Sequence, residues 1–296
     1  MSRSVTVPEP REDVEHPLAD LFEKLRRNRS KHRASAEAAS SGRRKRRAVI
    51  TIVRDEPVFL PIWLGYYSRF FAPEDIYVLD HGTSDGSTAG DGFVRIPVVH
   101  DTVDHTWMVR TMEEHQHELL ERYDVVLVTD VDEIVAPRPE FGSLADYIDT
   151  FDEEFVNCLG YELIHMVDRE EPFDPSRKVL DQRGYWFAND IYDKPALATE
   201  PLTWEPGFHR TADLTMRPEP DLFMIHLHRM DYEICLERHR YRKARAWNER
   251  DVALGWASHN RIVDESEFAR WFYEDSNASW TELVIEPIPA AWRGLF

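Results

Sequence analysis

Asp130-Val131-Asp132 directly follows the apolar run 125–128. On an extended segment alternate side chains share a face, so both carboxylates are expected to point the same way. Two adjacent carboxylates repel unless a cation joins them. Hard divalent ions such as Mn2+ or Mg2+ take oxygen ligands and often share their shell with substrate phosphates. The triplet therefore predicts a diphosphate-metal site with Asp130 and Asp132 as ligands. Downstream, His226 and His228 alternate on the apolar run 222–227. A neutral imidazole suits Mn2+, so either His226 or His228 can serve as a further ligand, with the other on the substrate side.

Other polar residues lie in the loops between these points. Lys194 is suited to neutralise a phosphate, and His209 to hydrogen-bond a leaving diphosphate or an acceptor. Asp190 and Asp193 precede Lys194 in a loop rich in aromatics. Asp193 is the expected base for an acceptor hydroxyl, with Trp186 and Trp204 as a stacking platform.

The elements that must position these groups follow from periodicity. Strands are expected at 48–53, 76–79, 94–99 and 125–128. A helix opens at Pro57 and carries Phe59, Leu60, Trp63, Leu64, Tyr67, Phe70 and Phe71 at helical spacing, and a second covers 106–122. Such alternation argues for an α/β fold with a mostly parallel central sheet flanked by helices. Ligands of such sheets bind beyond the carboxyl ends of the strands. Three polar clusters stand there: Arg54-Asp55-Glu56, residues 80–85, and residues 130–133. The second half reads as strands at 155–159 and 222–227 and a helix at 231–250. The proline-dense stretch 168–221 between them reads largely as loop.

These segments carry a resemblance. Residues 48–56, Val78-Leu79-Asp80 with the turn Thr83-Ser84-Asp85-Gly86-Ser87, and Thr129 through Glu133 are similar to the nucleotide-binding half of family 2-like glycosyltransferases with the GT-A fold. The likeness is to the branch whose acidic motif reads Asp-x-Asp-Glu. It covers residues 47–136, and 190–245 more loosely. It implies a metal-dependent, inverting transfer of a sugar from a nucleoside-diphosphate sugar to a hydroxyl of a glycan or glycolipid. It also implies that Arg54, Asp55, Glu56, Asp80 and Asp85 handle the nucleoside, that Asp132 holds the metal directly, and that Asp130 acts at the ribose or through water. The late His that completes the metal shell in such enzymes corresponds to His226. No residue matches the family's catalytic carboxylate. Two other readings compete. A sugar-phosphate nucleotidyltransferase should carry a Gly-rich basic loop after the first strand, where this chain has Arg54-Asp55-Glu56-Pro57. A non-catalytic carbohydrate-binding module would need neither the metal pair nor a base.

Composition narrows the class. The 296 residues carry a net charge of −19, distributed as +6 over residues 1–47 and −25 over the rest. An acidic body disfavours nucleic acid as a partner. It also requires an anionic substrate to be met by a cation or local basic groups. Residues 1–46 read as a flexible basic extension, with an amphipathic stretch at 18–25 and a linker at 33–46. The basic cluster 43–47 is suited to weak contact with anionic lipid head groups. Residues 47–136 are expected to bind the nucleotide sugar, and 137–296 to form the acceptor-binding half of the same domain. Two cysteines, no apolar run long enough to span a bilayer and no signal-like start point to a soluble, cytoplasmic protein.

Overall fold

The computed structural model describes residues 7–11, 24, 44–275 and 283–296. Apart from Lys24, the amphipathic stretch predicted at 18–25 lies outside these residues, as does the predicted linker up to residue 43. Arg11 N donates to Ile285 O at 2.9 Å, so the first described segment runs beside the last.

The α/β architecture expected from the alternation is found. Strands β1 (Arg47–Val53), β2 (Ile76–Asp80), β3 (Val94–Pro97) and β4 (Val125–Val128) form a parallel block in the order β4-β1-β2-β3. The sheet continues through β8 (Pro195–Ala198), β6 (Phe155–Ile164), β7 (Tyr185–Ala188) and β10 (Glu286–Pro287). Strands β5 (Glu133–Pro137) and β9 (Pro218–Arg229) complete it. β9 pairs antiparallel with β5 and parallel with β6.

β1 is apolar at nearly every position because helices cover both its faces. Val49 and Val53 face α1 (Phe59–Tyr67), against Trp63 and Tyr67. Ala48, Ile50 and Ile52 face α2 (His105–Leu120), against Val109, Met112 and Leu119. Burying one such side chain contributes about 2 kcal/mol. α1 begins two residues after Pro57, and Leu60 N donates to Glu56 O at 3.2 Å in the turn that leads into it.

α1 also fixes the loop that carries the acidic triplet. Trp63 Nε1 donates to Thr129 Oγ1 at 2.9 Å, and the Tyr67 hydroxyl donates to Glu133 O while accepting from Val135 N. Thus the apolar helix positions the polar turn between β4 and β5.

The stretch predicted as loop, 168–221, contains β7, β8 and the start of β9. Four-residue strands are too short to show a period. Pro195 occupies the first residue of β8, a position where a strand tolerates the missing N–H. The helix expected at 231–250 divides into α4 (Tyr232–Ala244) and α5 (Glu249–Ala253), each with its own side-chain cap, Asp231 and Asn248. Two further helices, α3 (Leu144–Thr150) and α6 (Glu265–Glu274), pack on the outside. No described helix is long and apolar enough to cross a membrane.

Candidate functional site

A cavity of about 550 Å³ opens beyond the carboxyl ends of β1 and β4. Of the residues expected at a site, Arg54, Glu56, Asp130, Asp132, Lys194, His209, His226 and His228 line it.

Asp130 and Asp132 do not share a face. Residues 131–132 form a tight turn in which Glu133 N donates to Asp130 O at 3.1 Å, so the triplet is not extended. The two carboxylates diverge to different cations. Asp130 Oδ2 lies 2.7 Å from Lys194 Nζ, which also lies 2.5 Å from Glu133 Oε1. Burial works against the Lys194 ammonium, but Asp130 and Glu133 outweigh it and raise its pKa. Asp130 is thereby paired with a lysine, and among the described residues it is Asp132, not Asp130, whose carboxylate groups with histidines.

Asp132 Oδ2 instead pairs with Arg238 Nη1 and lies 3.5 Å from His226 Nε2. Burial opposes its ionisation, yet Arg238 and then His226 hold its carboxyl far below the usual range. His226 sits in a cross-strand row set by register. It stands opposite Glu133 on one side and Glu162 on the other. Its Nδ1 lies 3.1 Å from Glu162 Oε1, and the Tyr192 ring stacks on it at 3.9 Å. One ligand atom from each of Asp132, His226 and His228 lies within 4.8 Å of the other two. A carboxylate with imidazoles is a donor set that Mn2+ accepts, so these residues fit a divalent cation.

The opposite wall is basic. Arg238, Tyr241, Arg242 and Arg245 line the cavity from one face of α4 and the residue that follows it. Their i, i+3, i+4, i+7 spacing is what places them together. Arg238 contacts Glu56 Oε1 through Nε at 3.1 Å and Nη2 at 2.7 Å, and its guanidinium stacks over Phe59 at 4.3 Å. Buried Arg54 Nε and Arg245 Nη2 have no hydrogen-bond partner. Five Arg and Lys side chains line the cavity against three carboxylates, which reverses the sign of the −19 chain at this point. Guanidinium side chains lining a hollow fit an anionic ligand such as a phosphate.

Several expected residues lie elsewhere. Asp80 is inside its own turn, accepting from Thr83 N, Thr88 Oγ1 and Arg95. Asp85 Oδ1 accepts from Ser87 N, holding the same turn. Asp55 accepts from Ser84 N and Asp85 N and from the Tyr241 hydroxyl, so it clamps the turn to α4 from behind the lining. The bonds of Asp80 to Thr83 N and of Asp85 to Ser87 N are local ones that Asp readily makes in turns. Asp193, expected as the base, is turned away, and its Oδ1 accepts from Gly160 N at 2.7 Å. Trp186 and Trp204 are core residues, packed against Phe223 and Phe208 respectively.

Sequence reasoning missed Arg238, Arg242 and Arg245, although their helical spacing was legible. It also missed a His-Asp pair at the rim. His105 lines the cavity, and Asp251 Oδ2 lies 2.8 Å from both its backbone N and its Nδ1. Trp247 and Trp256 line the cavity beside it, with ring centroids 5.9 and 6.4 Å from the imidazole.

No family model matches the chain, and no curated protein matches it. Among solved structures, the chain is similar to the mannosyltransferase PcManGT from Pyrobaculum calidifontis in complex with GDP-Man and Mn2+. That likeness has 15% sequence identity and a TM-score of 0.38, and it covers 68% of this chain and 63% of the other.

Proposed function

We propose that the protein is a metal-assisted glycosyltransferase that takes a sugar from a nucleoside-diphosphate sugar and passes it to a hydroxyl acceptor. One observation carries this reading. A single cavity brings together a carboxylate-imidazole donor set and several guanidinium groups. In this reading residues 47–136 bind the nucleotide, and 137–296 supply the basic wall and the acceptor side.

Asp132 and His226, with His228 in reach, would hold Mn2+ or Mg2+. A cation bound there would offset the charge that grows on the leaving diphosphate. The remaining work falls to side chains. Arg242, Arg245 and Arg54 clamp the diphosphate, and their fixed donors act in a partly dry site where they need no reorganisation. Lys194 holds Asp130 in place, ready to accept from a ribose hydroxyl. His105 serves as the base in place of Asp193. With the Nδ1–H of His105 donated to Asp251 Oδ2, the Nε2 lone pair is left to receive the acceptor's hydroxyl proton. Trp247 and Trp256 flank it as faces on which a sugar ring can stack. Attack by the acceptor from the side opposite the diphosphate inverts the anomeric centre.

The test is release of nucleoside diphosphate from a panel of sugar nucleotides, with Mn2+, with Mg2+ and with a chelator. Release that depends on a divalent ion and is lost in Asp132→Asn supports the reading. His105→Gln should retain nucleotide binding and lose transfer to acceptor. Absence of release with every donor, together with unchanged nucleotide affinity in Asp132→Asn, would sink it. Pyrophosphate formed from a sugar phosphate and a nucleoside triphosphate would make the protein a nucleotidyltransferase.

A further inference from the structure

Behind the cavity wall lies a second group of metal-binding side chains. His228, at the end of β9, faces Cys235 and His239 of α4. One ligand atom from each lies within 4.8 Å of the other two, and all three residues are buried. His228 Nε2 and His239 Nε2 are 3.0 Å apart, and Cys235 Sγ lies 3.9 Å from His239 Nε2. Tetrahedral zinc, with bonds of about 2.05 Å to nitrogen and 2.3 Å to sulfur, sets its ligands about 3.3 Å (N to N) and 3.6 Å (N to S) apart. The observed separations bracket those values, so small side-chain shifts close the shell.

Two further features point the same way. Cys235 and His239 stand at i and i+4, which places both side chains on one face of the helix. His239 Nδ1 lies 3.0 Å from Ile262 O, so its N–H is donated to a carbonyl and the Nε2 lone pair faces the group. This outer hydrogen bond is the one that metal-bound histidines characteristically make. Rings of Phe268 and Trp271 lie against His239, 5.1 and 4.8 Å away, and keep the pocket dry. His228 also lines the cavity and offers the way in.

We propose that His228, Cys235 and His239 form a zinc site, which engages His228 and leaves the divalent cation of the cavity to Asp132 and His226 alone. Binding releases the Cys235 thiol proton and leaves one position for water. A thiolate selects Zn2+ over the hard ions suited to the cavity. The ion ties β9 to α4 three residues before Arg238, and so holds the basic wall against the strand that carries His226.

The test uses the full chain loaded with Zn2+ and gel-filtered, with metal content measured by mass spectrometry. Wild type should retain about one ion per chain. Cys235→Ser and His239→Gln should lose it, while Asp132→Asn retains it. Co2+ substitution adds a readout free of folding ambiguity. Wild type and Cys158→Ser should show a thiolate-to-cobalt charge-transfer band that Cys235→Ser lacks. The proposal is overturned if wild type retains no zinc, if Cys235→Ser keeps both the ion and the band, or if Asp132→Asn loses the ion. Donor turnover is independent of this outcome: a chain that holds zinc but releases no diphosphate from any sugar nucleotide counts against the transferase reading alone.

Discussion

The guanidinium of Arg238 joins Glu56 to Asp132: Nη2 lies 2.7 Å from Glu56 Oε1, and Nη1 pairs with Asp132 Oδ2. One cation thus bridges two buried carboxylates that follow different strands, 182 and 106 residues away along the chain. Burial, and after it Asp132, raises the pKa of Glu56, with Arg238 and Arg242 opposing. Removing one partner of such a cluster strands the others in a poorly polar site. Arg238→Ala should destabilise the fold by about 3–5 kcal/mol. Urea denaturation checks this, and Glu56→Gln added to Arg238→Ala should recover part of the loss. An unchanged midpoint in Arg238→Ala would show that the triad is not coupled.

Arg245 gives the converse case. Its buried Nη2 has no partner, and neighbouring basic groups, Arg54 foremost after burial, lower its pKa. Arg245→Met therefore should cost little stability or even raise the melting temperature. Nucleoside diphosphate affinity, measured by titration calorimetry, should fall about tenfold, as for loss of one charge-assisted hydrogen bond to phosphate. Equal affinity in both proteins would remove Arg245 from the ligand site.

Gly160 links the fold to the site through close approach. A Cβ there would come within 2.3 Å of Asn189 O and 2.7 Å of Tyr192 Cβ. Tyr192 is the ring stacked on His226. Gly160→Ala should displace the 189–192 segment, costing about 3 kcal/mol, the upper range for overpacking. It should also weaken divalent-ion binding at the cavity, read by Mn2+ electron paramagnetic resonance. Wild-type stability and Mn2+ affinity in this variant would contradict the argument.

Asp193 yields a pH dependence. Burial pushes its carboxyl up to about 7, although Gly160 N donates to it. A buried acid with a raised pKa stays protonated in the fold while the unfolded chain ionises. Between about pH 4 and 7 the folded state therefore binds the extra proton, and stability falls as pH rises through that window. Asp193→Asn keeps an acceptor for Gly160 N and cannot ionise. It should melt higher than wild type at pH 8, with the gap closing towards pH 4. Undiminished donor turnover would be consistent with a side chain turned to Gly160 and away from the cavity, whereas complete loss would restore it as the base.

Much of the first half was legible in the sequence because its information is local. The continuous apolar runs of β1 and β4 needed only burial on both faces, and the helical spacing of Trp63 and Tyr67 needed only one neighbour layer. Strand ends carrying Arg54, Glu56, Asp130 and Asp132 follow from those elements, and these residues do meet in the cavity. The second half was less legible, since β7 and β8 are four residues long and show no period.

Residue types and the order of elements up to β4 were thus determined by the sequence by itself. Which charge meets which was decided by the tertiary structure. A turn of two residues sends Asp130 to Lys194 and Asp132 to Arg238, where an extended segment would have kept them together. Local patterning specifies backbone conformation through neighbours a few positions away. The pairing of buried charges is instead settled by which groups, distant in the chain, share one solvent-poor space once the sheet has closed, because there an unpaired charge costs several kcal/mol.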